Sequence, residues 1–491
     1  MSCALAERDH HALSARALWL SSLAFALLIH STLPDYEQRE WGGQRAWLQV
    51  SAIALLCSSL MMCTRGGAPK AFSAWATYQA KLSRWAPCVA LSALMLHKLW
   101  TLLTLRDVLT QSMILLCLCA IALISSLPSQ AERLSEVTLK RARDVTALTY
   151  VGAALHKLNT TFLASAQSCA LHGVEVSFEL IGLPWPEPPH MSLSAVDALV
   201  TQLYQLSASP LFVGSGVIAV ELALACALWR GERWLWPLGL LFHLPLTLTI
   251  APSFSGVMFC GYVASTLLRV PSIATLSVAR ATLGAGVALW ICFGPMGEAL
   301  KALSLCALAV WGWLALAPKA SPQSSPRSVT QAPPLVRRLL MTITAVYGLH
   351  LLSPYLGVEV QHSGAMLSNL RIDPACFNSL VAPRVGWDPY IRIEEAQLGR
   401  AERPKKVKVL REQLWGWAAL NTIRRNWCSP TTSPFVLRGS WGGEPFEIDD
   451  LCASGGLLEL EASRPLQTSL PVGWQRLQKN LSRRCDQACV H

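Results

Sequence analysis

Charged residues are scarce in this chain. Asp, Glu, Lys and Arg make up 14% of its 491 residues, whereas an ordinary soluble domain contains roughly a quarter. Hydrophobic residues contribute 52%, and the mean hydropathy is +0.37. This composition excludes an intrinsically disordered chain and a nucleic-acid-binding module, and it disfavours a purely soluble enzyme. The excess of 41 basic over 30 acidic residues is therefore interpreted through membrane topology.

Long apolar runs fill most of the first 353 residues. Because a helix needs about 20 residues to cross a bilayer, and several runs are short or contain Pro and Gly, we expect about 9–11 spans. The predicted fold is an all-α polytopic membrane helix bundle over residues 10–353, with the lipid bilayer as a partner. The candidate spans lie near residues 13–33, 46–63, 85–104, 108–127, 145–163, 212–229, 234–250, 255–270, 279–294, 302–317 and 338–353.

The connecting segments alternate in their content of Lys and Arg. Segments assigned to the inside hold 18 basic residues, those assigned to the outside hold 4, and the stretch 164–211 holds none. Basic residues accumulate on the cytoplasmic side of membrane proteins. This pattern places the N-terminus in the cytoplasm and, with an odd number of spans, the C-terminal tail outside.

The tail over residues 354–491 is mixed in charge and too polar to cross a membrane. It predicts a small α+β extracytoplasmic domain. Apolar residues at helical spacing predict a helix over 403–427, and short apolar runs predict strands at 435–438 and 457–461.

The chain contains 16 cysteines, which the predicted topology divides between the two sides. An even number outside permits up to three disulfides in an oxidising compartment, with the pairing undetermined. The alternative is that several remain free as small buried hydrophobic residues. No CxxC pair occurs, so no metal site is expected. The cysteines assigned to the outside are Cys169, Cys376, Cys428, Cys452, Cys485 and Cys489.

Lys157 and His156 lie near the outer end of an apolar helical run. A charged side chain at membrane depth costs about 2.5–3.5 kcal/mol on insertion scales, so it marks a candidate functional site. Burial in an apolar pocket favours the neutral amine of a lysine, which can act as a base. The alternative is that Lys157 extends its amine to the membrane surface.

Two further polar residues interrupt apolar runs. Glu221 is in the middle of a predicted span and is expected to face the bundle interior, as a helix–helix hydrogen bond or as pocket lining. His243 precedes Pro245, so it either supports a helix kink or lines a pocket. After the last span, Pro354 ends the helix and Tyr355 suits the membrane interface. The polar run that follows is a connector or the mouth of a site.

Three groups of residues occur in order along the chain and resemble the vitamin K-dependent gamma-carboxylase-like family, in particular its bacterial HTTM (horizontally transferred transmembrane) members. The resemblance covers about residues 10–390. The groups are Lys157 within His156-Lys-Leu-Asn159, then His243 with Phe254-Ser-Gly, then Pro354-Tyr-Leu-Gly and Met366-Leu-Ser-Asn-Leu-Arg371.

The resemblance implies a reaction. In the family, a lysine amine in an apolar pocket deprotonates reduced vitamin K, and the resulting anion reacts with oxygen to give a strong base. That base removes a γ-proton from a peptide glutamate, and CO2 adds to the carbanion. Lys157 matches this lysine, with His156 beside it. The implied cofactor is reduced vitamin K or a related quinol, and the implied location is a bacterial cytoplasmic membrane with an exported peptide or protein as substrate.

The resemblance also implies a set of pocket residues, with one departure. Where the family has an Asn-His pair before the lysine helix, this chain has Leu105-Arg106-Asp107-Val108, and His97 is the nearby candidate replacement. Two alternatives stay open: a non-catalytic membrane scaffold that binds a lipid, quinone or partner, and a transporter, for which no paired repeat is seen. The pocket candidates are His243, Glu221, Tyr355, Asn369, Arg371, Asn159 and His97.

Overall fold

The structure is a computed structural model, and it describes most of the apolar runs and much of the tail. The described residues are 2–31, 49–58, 85–96, 112–126, 136–180, 209–232, 234–248, 252–268, 273–293, 305–307, 309–313, 333–356, 368–384, 388, 390–398, 404–416, 420, 424, 427–428, 434–453 and 481–485. His97, Cys489 and the predicted strand at 457–461 lie outside these residues.

Helices dominate the described part of the chain, as the apolar runs predicted. Each of the eleven candidate spans contains helical residues. The helices are α1 (Ser2–Ser31), α2 (Gln49–Ser58), α3 (Trp85–Leu96), α4 (Ser112–Ser126), α5 (Glu136–Lys157), α6 (Thr160–Ala164), α7 (Cys169–Leu180), α8 (Pro210–Arg230), α9 (Leu235–Leu248), α10 (Pro252–Leu267), α11 (Ile273–Phe293), α12 (Pro334–His350) and α13 (Pro404–Glu412), with a 3-10 turn at Ser353–Leu356.

The length of the helices limits how many qualify as spans by themselves. Among the described residues, α8, with 21 residues, is the one helix that is both long enough and apolar enough to cross a membrane. Shorter apolar helical stretches cover 14–28, 49–58, 85–96, 113–126, 237–248 and 254–267. The coarse prediction of a helical protein with a small C-terminal sheet is therefore confirmed, and the polytopic arrangement stays a prediction.

The chain forms two compact units. Unit 1 comprises residues 1–99, 111–151 and 220–348, and unit 2 comprises 100–110, 152–219 and 349–491. The predicted boundary at 353 is not tested by this division, in which 152–219 group with the C-terminal residues. In unit 1, α1 packs against α10 and α11, and residues such as Leu18, Trp19 and Leu23 are completely buried along it.

Unit 2 contains an antiparallel five-stranded sheet with the order β4-β3-β1-β2-β5. Alternate residues of the strands face a core that includes Ile391, Ile393, Leu437 and Phe446, as expected for a sheet with one buried face. The strands are β1 (Ile391–Leu398), β2 (Gln413–Trp415), β3 (Phe435–Trp441), β4 (Glu444–Ile448) and β5 (Leu481–Ser482). We call the described residues from Tyr390 to Cys485 the sheet region.

The predicted strand at 435–438 is confirmed and extends to Trp441, where two glycines at positive φ, Gly442 and Gly443, turn the chain into β4. The continuous helix predicted over 403–427 is wrong. Helix α13 ends at Glu412, and the chain continues as strand β2 paired with β1. Leu414 and Trp415 are buried by this pairing, and sheet burial overrides their helical spacing.

Disulfides form in unit 2 between cysteines assigned to the outside, which is one of the two alternatives that the sequence left open. Cys376 is bonded to Cys485 and Cys428 to Cys452, and Cys169 is also disulfide-bonded. In the part of the chain that the structure describes, the free cysteines lie in helices of unit 1. The described cysteines of known state therefore separate by unit, with bonded cysteines in unit 2 and free thiols in unit 1.

Candidate functional site

The carboxyl end of α5 carries the two residues that the sequence singled out. Glu136 is in the first turn of the helix, and His156 and Lys157 are in its last turn, an arrangement that suits the helix dipole. The helix stops because Asn159 adopts an extended conformation (φ −144°, ψ 157°) and caps α6, accepting a hydrogen bond from the Phe162 amide. Helix α5 therefore ends at Lys157.

Lys157 is buried, with 5% of its surface exposed. Its Nζ donates to the Ala153 carbonyl at 3.4 Å and lies 5.9 Å from the centre of the Phe162 ring. Phe162 belongs to an apolar cluster with Ala154, Cys169, Ala170 and Ile218. Such burial favours a pocket for the amine over extension to the surface, which was the alternative interpretation of this residue.

His156 is fully buried and contacts Tyr355. Its Nδ1 lies 3.2 Å from the Tyr355 hydroxyl, which donates to the Leu155 carbonyl at 3.0 Å. Because the hydroxyl proton is used by the carbonyl, the imidazole Nδ1–H is the donor in the pair. Burial raises the pKa of Tyr355 to about 12, so the phenol keeps its proton at neutral pH.

Asn159 and Asn378 connect this helix end to the segment after the 3-10 turn. Asn159 Nδ2 donates to the carbonyls of His156 and Ser368, at 2.8 and 2.6 Å. Asn378 Nδ2 donates to Thr161 Oγ1 at 2.8 Å, and its Oδ1 accepts from the Arg371 amide at 2.7 Å. The buried amides are thus paired on both their donor and acceptor sides, and the two segments are held together by hydrogen bonds.

Asn369 and Arg371 have anchoring contacts of different kinds. Asn369 has a positive φ of 53° and accepts from the Cys169 amide at 2.7 Å, so its side chain fixes the start of α7. The guanidinium of Arg371, 2% exposed, forms a bidentate pair with Asp373 (2.6 and 3.1 Å) and donates to the Arg484 carbonyl at 3.0 Å. Arg371 therefore joins this segment to β5 rather than presenting a charge to a ligand.

Unit 1 contains a separate buried polar group. Tyr150 is hydrogen-bonded through its hydroxyl to His243 Nε2 and to the Tyr262 hydroxyl. On its other side, His243 Nδ1 lies 3.0 Å from Ser255 Oγ. All four side chains are buried. Phe242, Phe254 and Trp311 contact this polar group through their rings, and the Trp311 ring is stacked on Tyr262.

The predicted residues therefore fall into two groups. Unit 2 brings together Lys157, His156, Asn159, Tyr355, Asn369 and Arg371, and unit 1 holds His243 and Glu221, both buried. Sequence reasoning missed Tyr150, Tyr262, Ser255 and Asn378. The signal for the first three was a polar side chain in an apolar run, and the seven-residue spacing of Ser255 and Tyr262 puts both on one helix face.

Comparisons with known proteins give no relative on which a family could be based. No protein-family model, no curated protein and no solved structure matches this chain.

Proposed function

We propose that the helical part of this chain is an integral membrane bundle. The support is the distribution of its surface: large apolar side chains such as Leu241, Leu335 and Val89 lie exposed on α9, α12 and α3. A helix that crosses a bilayer presents apolar side chains of this kind to the lipid. Hydroxyl, imidazole and carboxyl groups are instead buried among the helices, as lipid requires of polar side chains.

The proposed orientation follows the distribution of Lys and Arg. The N-terminus is cytoplasmic, and the tail with its disulfides is extracytoplasmic, in a bacterial cytoplasmic membrane. The disulfides of unit 2 support an oxidising surrounding for Cys376, Cys428, Cys452 and Cys485. An exported peptide or protein would then meet the protein on that side.

The proposed activity is a quinol-dependent reaction in which Lys157 is the base, with carboxylation of a peptide glutamate as the coupled step. The observation that carries this proposal is the burial of Lys157 and His156 together at the end of α5. The residues fit a quinol: an amine and an imidazole that can bond its hydroxyls stand beside the apolar rings of Phe162 and Tyr355. When bound, a quinol supplies an acidic hydroxyl and the electrons that reduce oxygen.

The remaining residues have supporting roles in this proposal. His156 is oriented by its Nδ1 hydrogen bond to Tyr355. Asn159 holds the backbone of His156 through its carbonyl, so the helix end that carries both candidates is fixed before any ligand binds. Apolar neighbours around Lys157 exclude water, which would otherwise compete for the amine and quench strongly basic species.

A second function has support from a specific observation. The ammonium of Lys157 donates to a backbone carbonyl of its own helix, and the amides of Asn159 and Asn378 are satisfied within the protein. A lysine held in this way suits a non-catalytic scaffold that binds a lipid, a quinone or a partner protein. Catalysis requires a neutral Lys157 amine that can accept a proton, whereas the scaffold function does not.

Three substitutions separate the two functions. Purified protein in proteoliposomes receives vitamin K hydroquinone, oxygen, bicarbonate and a glutamate-containing peptide, and epoxide formation is measured. We expect Lys157→Ala to abolish it. We expect Lys157→Arg to abolish it too, because a guanidinium keeps its charge and cannot act as a base. Lys140→Ala is the control, since Lys140 is an exposed lysine of the same helix, paired with Glu136.

Epoxide formation by each variant is interpreted together with a measurement of its folding. Variants that retain their disulfides and their thermal transition but lose epoxide formation support the base. Epoxide formation by the Lys157→Arg variant would contradict a role of Lys157 as a base and would indicate that only its positive charge is needed. Absence of epoxide from the wild-type protein, with other quinols equally inert, would favour the scaffold.

A further inference from the structure

The exposed tryptophans lie in unit 1, three of them at helix ends. Among the described residues of the whole chain, the exposed tryptophans are Trp85, Trp229, Trp234 and Trp313, each with 41–53% of its surface accessible. Trp85 is the first residue of α3, Trp229 is next to the last residue of α8, and Trp234 directly precedes α9. Trp313 is in the helical stretch 309–313.

These four tryptophans lie towards one side of the predicted topology. The charge pattern assigns the segments before residue 85, around 230–233 and after 317 to the cytoplasm. Trp85, Trp229 and Trp234 adjoin the first two segments, and Trp313 lies in the last five residues of the predicted span 302–317. Among the described residues near helix ends assigned to the outer side, the exposed large side chains include Leu96, Leu211 and Phe212. Tryptophan prefers the headgroup level of a bilayer, where its ring is in the apolar layer and its N–H meets polar groups.

Exposed arginines accompany the tryptophans on the same side. Arg230 follows Trp229 directly, and Arg337 and Arg338 lie in the first turns of α12, which starts from a segment assigned to the cytoplasm. All three are exposed, and none forms an ion pair with another described residue. A guanidinium binds a phosphate through two parallel hydrogen bonds. These three arginines, close to tryptophans that prefer the membrane interface, are therefore suited to binding lipid phosphates.

We propose that these seven residues, the Trp–Arg belt, bind anionic phospholipid headgroups of the cytoplasmic leaflet. The tryptophans set the depth of the helices at the interface, and the arginines select lipids with a net negative charge over zwitterionic ones. The proposal rests on the membrane placement in the proposed function, and it is independent of any activity at Lys157.

Lipid selection is measurable on the full-length protein. The purified chain in detergent receives equal amounts of phosphatidylglycerol and phosphatidylcholine, and retained lipids are counted by native mass spectrometry. The test variant is Arg230→Gln with Arg337→Gln and Arg338→Gln. The control is Lys408→Gln with Arg411→Gln and Arg438→Gln, which removes the same charge from exposed positions in the sheet region.

The wild-type protein and the control should retain phosphatidylglycerol preferentially. A basic residue near an anionic membrane contributes about fivefold to binding, so the test variant should lose at least about tenfold of the preference. Equal retention in the test variant and the wild type would overturn the belt. If the triple variant fails to fold, Arg337→Gln with Arg338→Gln should lose part of the preference, and an unchanged preference would again overturn it.

Failure of the membrane placement is distinguished by extraction. An integral bundle stays in the membrane fraction at alkaline pH in carbonate, whereas a peripheral or soluble protein is released. Release would overturn both the proposed function and the belt. Retention without lipid preference would overturn the belt alone.

Discussion

In unit 1 the exposed positions of the helices include Leu241, Leu335 and Val89, whereas in the sheet region Arg438, Glu395 and Glu447 lie on the surface. The interiors differ in their polar content. Unit 1 buries Tyr150, His243 and Tyr262 in addition to its many apolar residues, and the sheet region buries a core of apolar residues. The difference in the two surfaces is the one that the proposed membrane placement of the helical part would produce.

The two regions also differ in covalent cross-links. Unit 1 has free cysteines among its described residues, whereas the sheet region contains the Cys428–Cys452 disulfide and is bonded through Cys485 to Cys376. Since small domains with modest cores commonly depend on disulfides, the sheet region should owe much of its stability to them. The following predictions test the contrast, from the largest expected effect to the smallest.

Removal of a disulfide should destabilise the sheet region strongly. The Cys376–Cys485 bond closes a loop with a sequence separation of 109, and the Cys428–Cys452 bond one of 24. Loop-closure entropy predicts losses of about 4.8 and about 3.5 kcal/mol in the free energy of unfolding. Paired Cys→Ser variants, followed by limited proteolysis in urea, should release the sheet region while helical circular dichroism persists. Equal loss of helical signal would contradict the distinction.

A lysine on an exposed helix surface tests which solvent that surface meets. Leu241 is 74% exposed and lies near the middle of a predicted span, so Leu241→Lys should cost about 2.5–3.5 kcal/mol in lipid. Val409, 42% exposed on α13 in the sheet region, is the matched control, and Val409→Lys should change stability by less than about 0.5 kcal/mol. Membrane yield and thermal stability measure both. Equal tolerance of the two lysines would remove the contrast.

Two buried tyrosines offer a finer comparison. Tyr262 shares a hydrogen bond with Tyr150, whereas the hydroxyl of Tyr390 is buried without a hydrogen-bond partner among the described residues. Tyr262→Phe should therefore cost about 0.5–1.5 kcal/mol, and Tyr390→Phe should be neutral or stabilising because it removes an unpaired polar group. Thermal unfolding of the two variants decides this. The reverse order would show that Tyr390 has a partner in the folded protein.

The smallest effect concerns the exposed charges of the sheet. Hydrogen bonds from Gln397 and Arg438 lower the pKa of Glu395 below its ordinary value of 4.5. A lowered carboxyl pKa stabilises the folded state above the ordinary value, and this contribution is lost as pH falls through the lowered one. Glu395→Gln should therefore reduce the acid sensitivity of unfolding slightly, because the pair is exposed. Urea titrations between pH 2 and pH 6 measure the slope.

Long apolar runs located most of the described helices, because burial in lipid or protein selects such runs. They did not locate α7, which lies in the stretch 164–211 that was assigned to a connecting segment. The span predicted at 145–163 continues past Lys157, whereas α5 ends there and Asn159 caps the next helix. Strand β2 was not predictable, because Leu414 fits a helical pattern equally well and its burial depends on β1, which precedes it by some 20 residues.

The hydrogen bonds that the sequence could not predict mostly join residues that are distant in sequence. The hydrogen bond of Tyr150 with His243 joins residues 93 positions apart, and that of Asn159 with Ser368 joins residues 209 apart. A single sequence contains no information about which polar side chains meet across such distances. The identity of Lys157 and His156 as candidates was predictable because a basic group in an apolar run is conspicuous without knowledge of its partners.

Because β2 and β5 are neighbours in the sheet but distant in sequence, the ribosome synthesises them at different times. Strand β2 ends at residue 415, and its outer partner β5 begins at residue 481. A ribosome adds about 5–20 residues per second, so roughly 3–13 seconds pass between the two strands. During that interval the outer edge of β2 has no neighbour, and an unpaired edge can recruit a foreign strand. Because β2 has only three residues, few backbone hydrogen-bonding groups are available to a foreign strand before β5 has been synthesised.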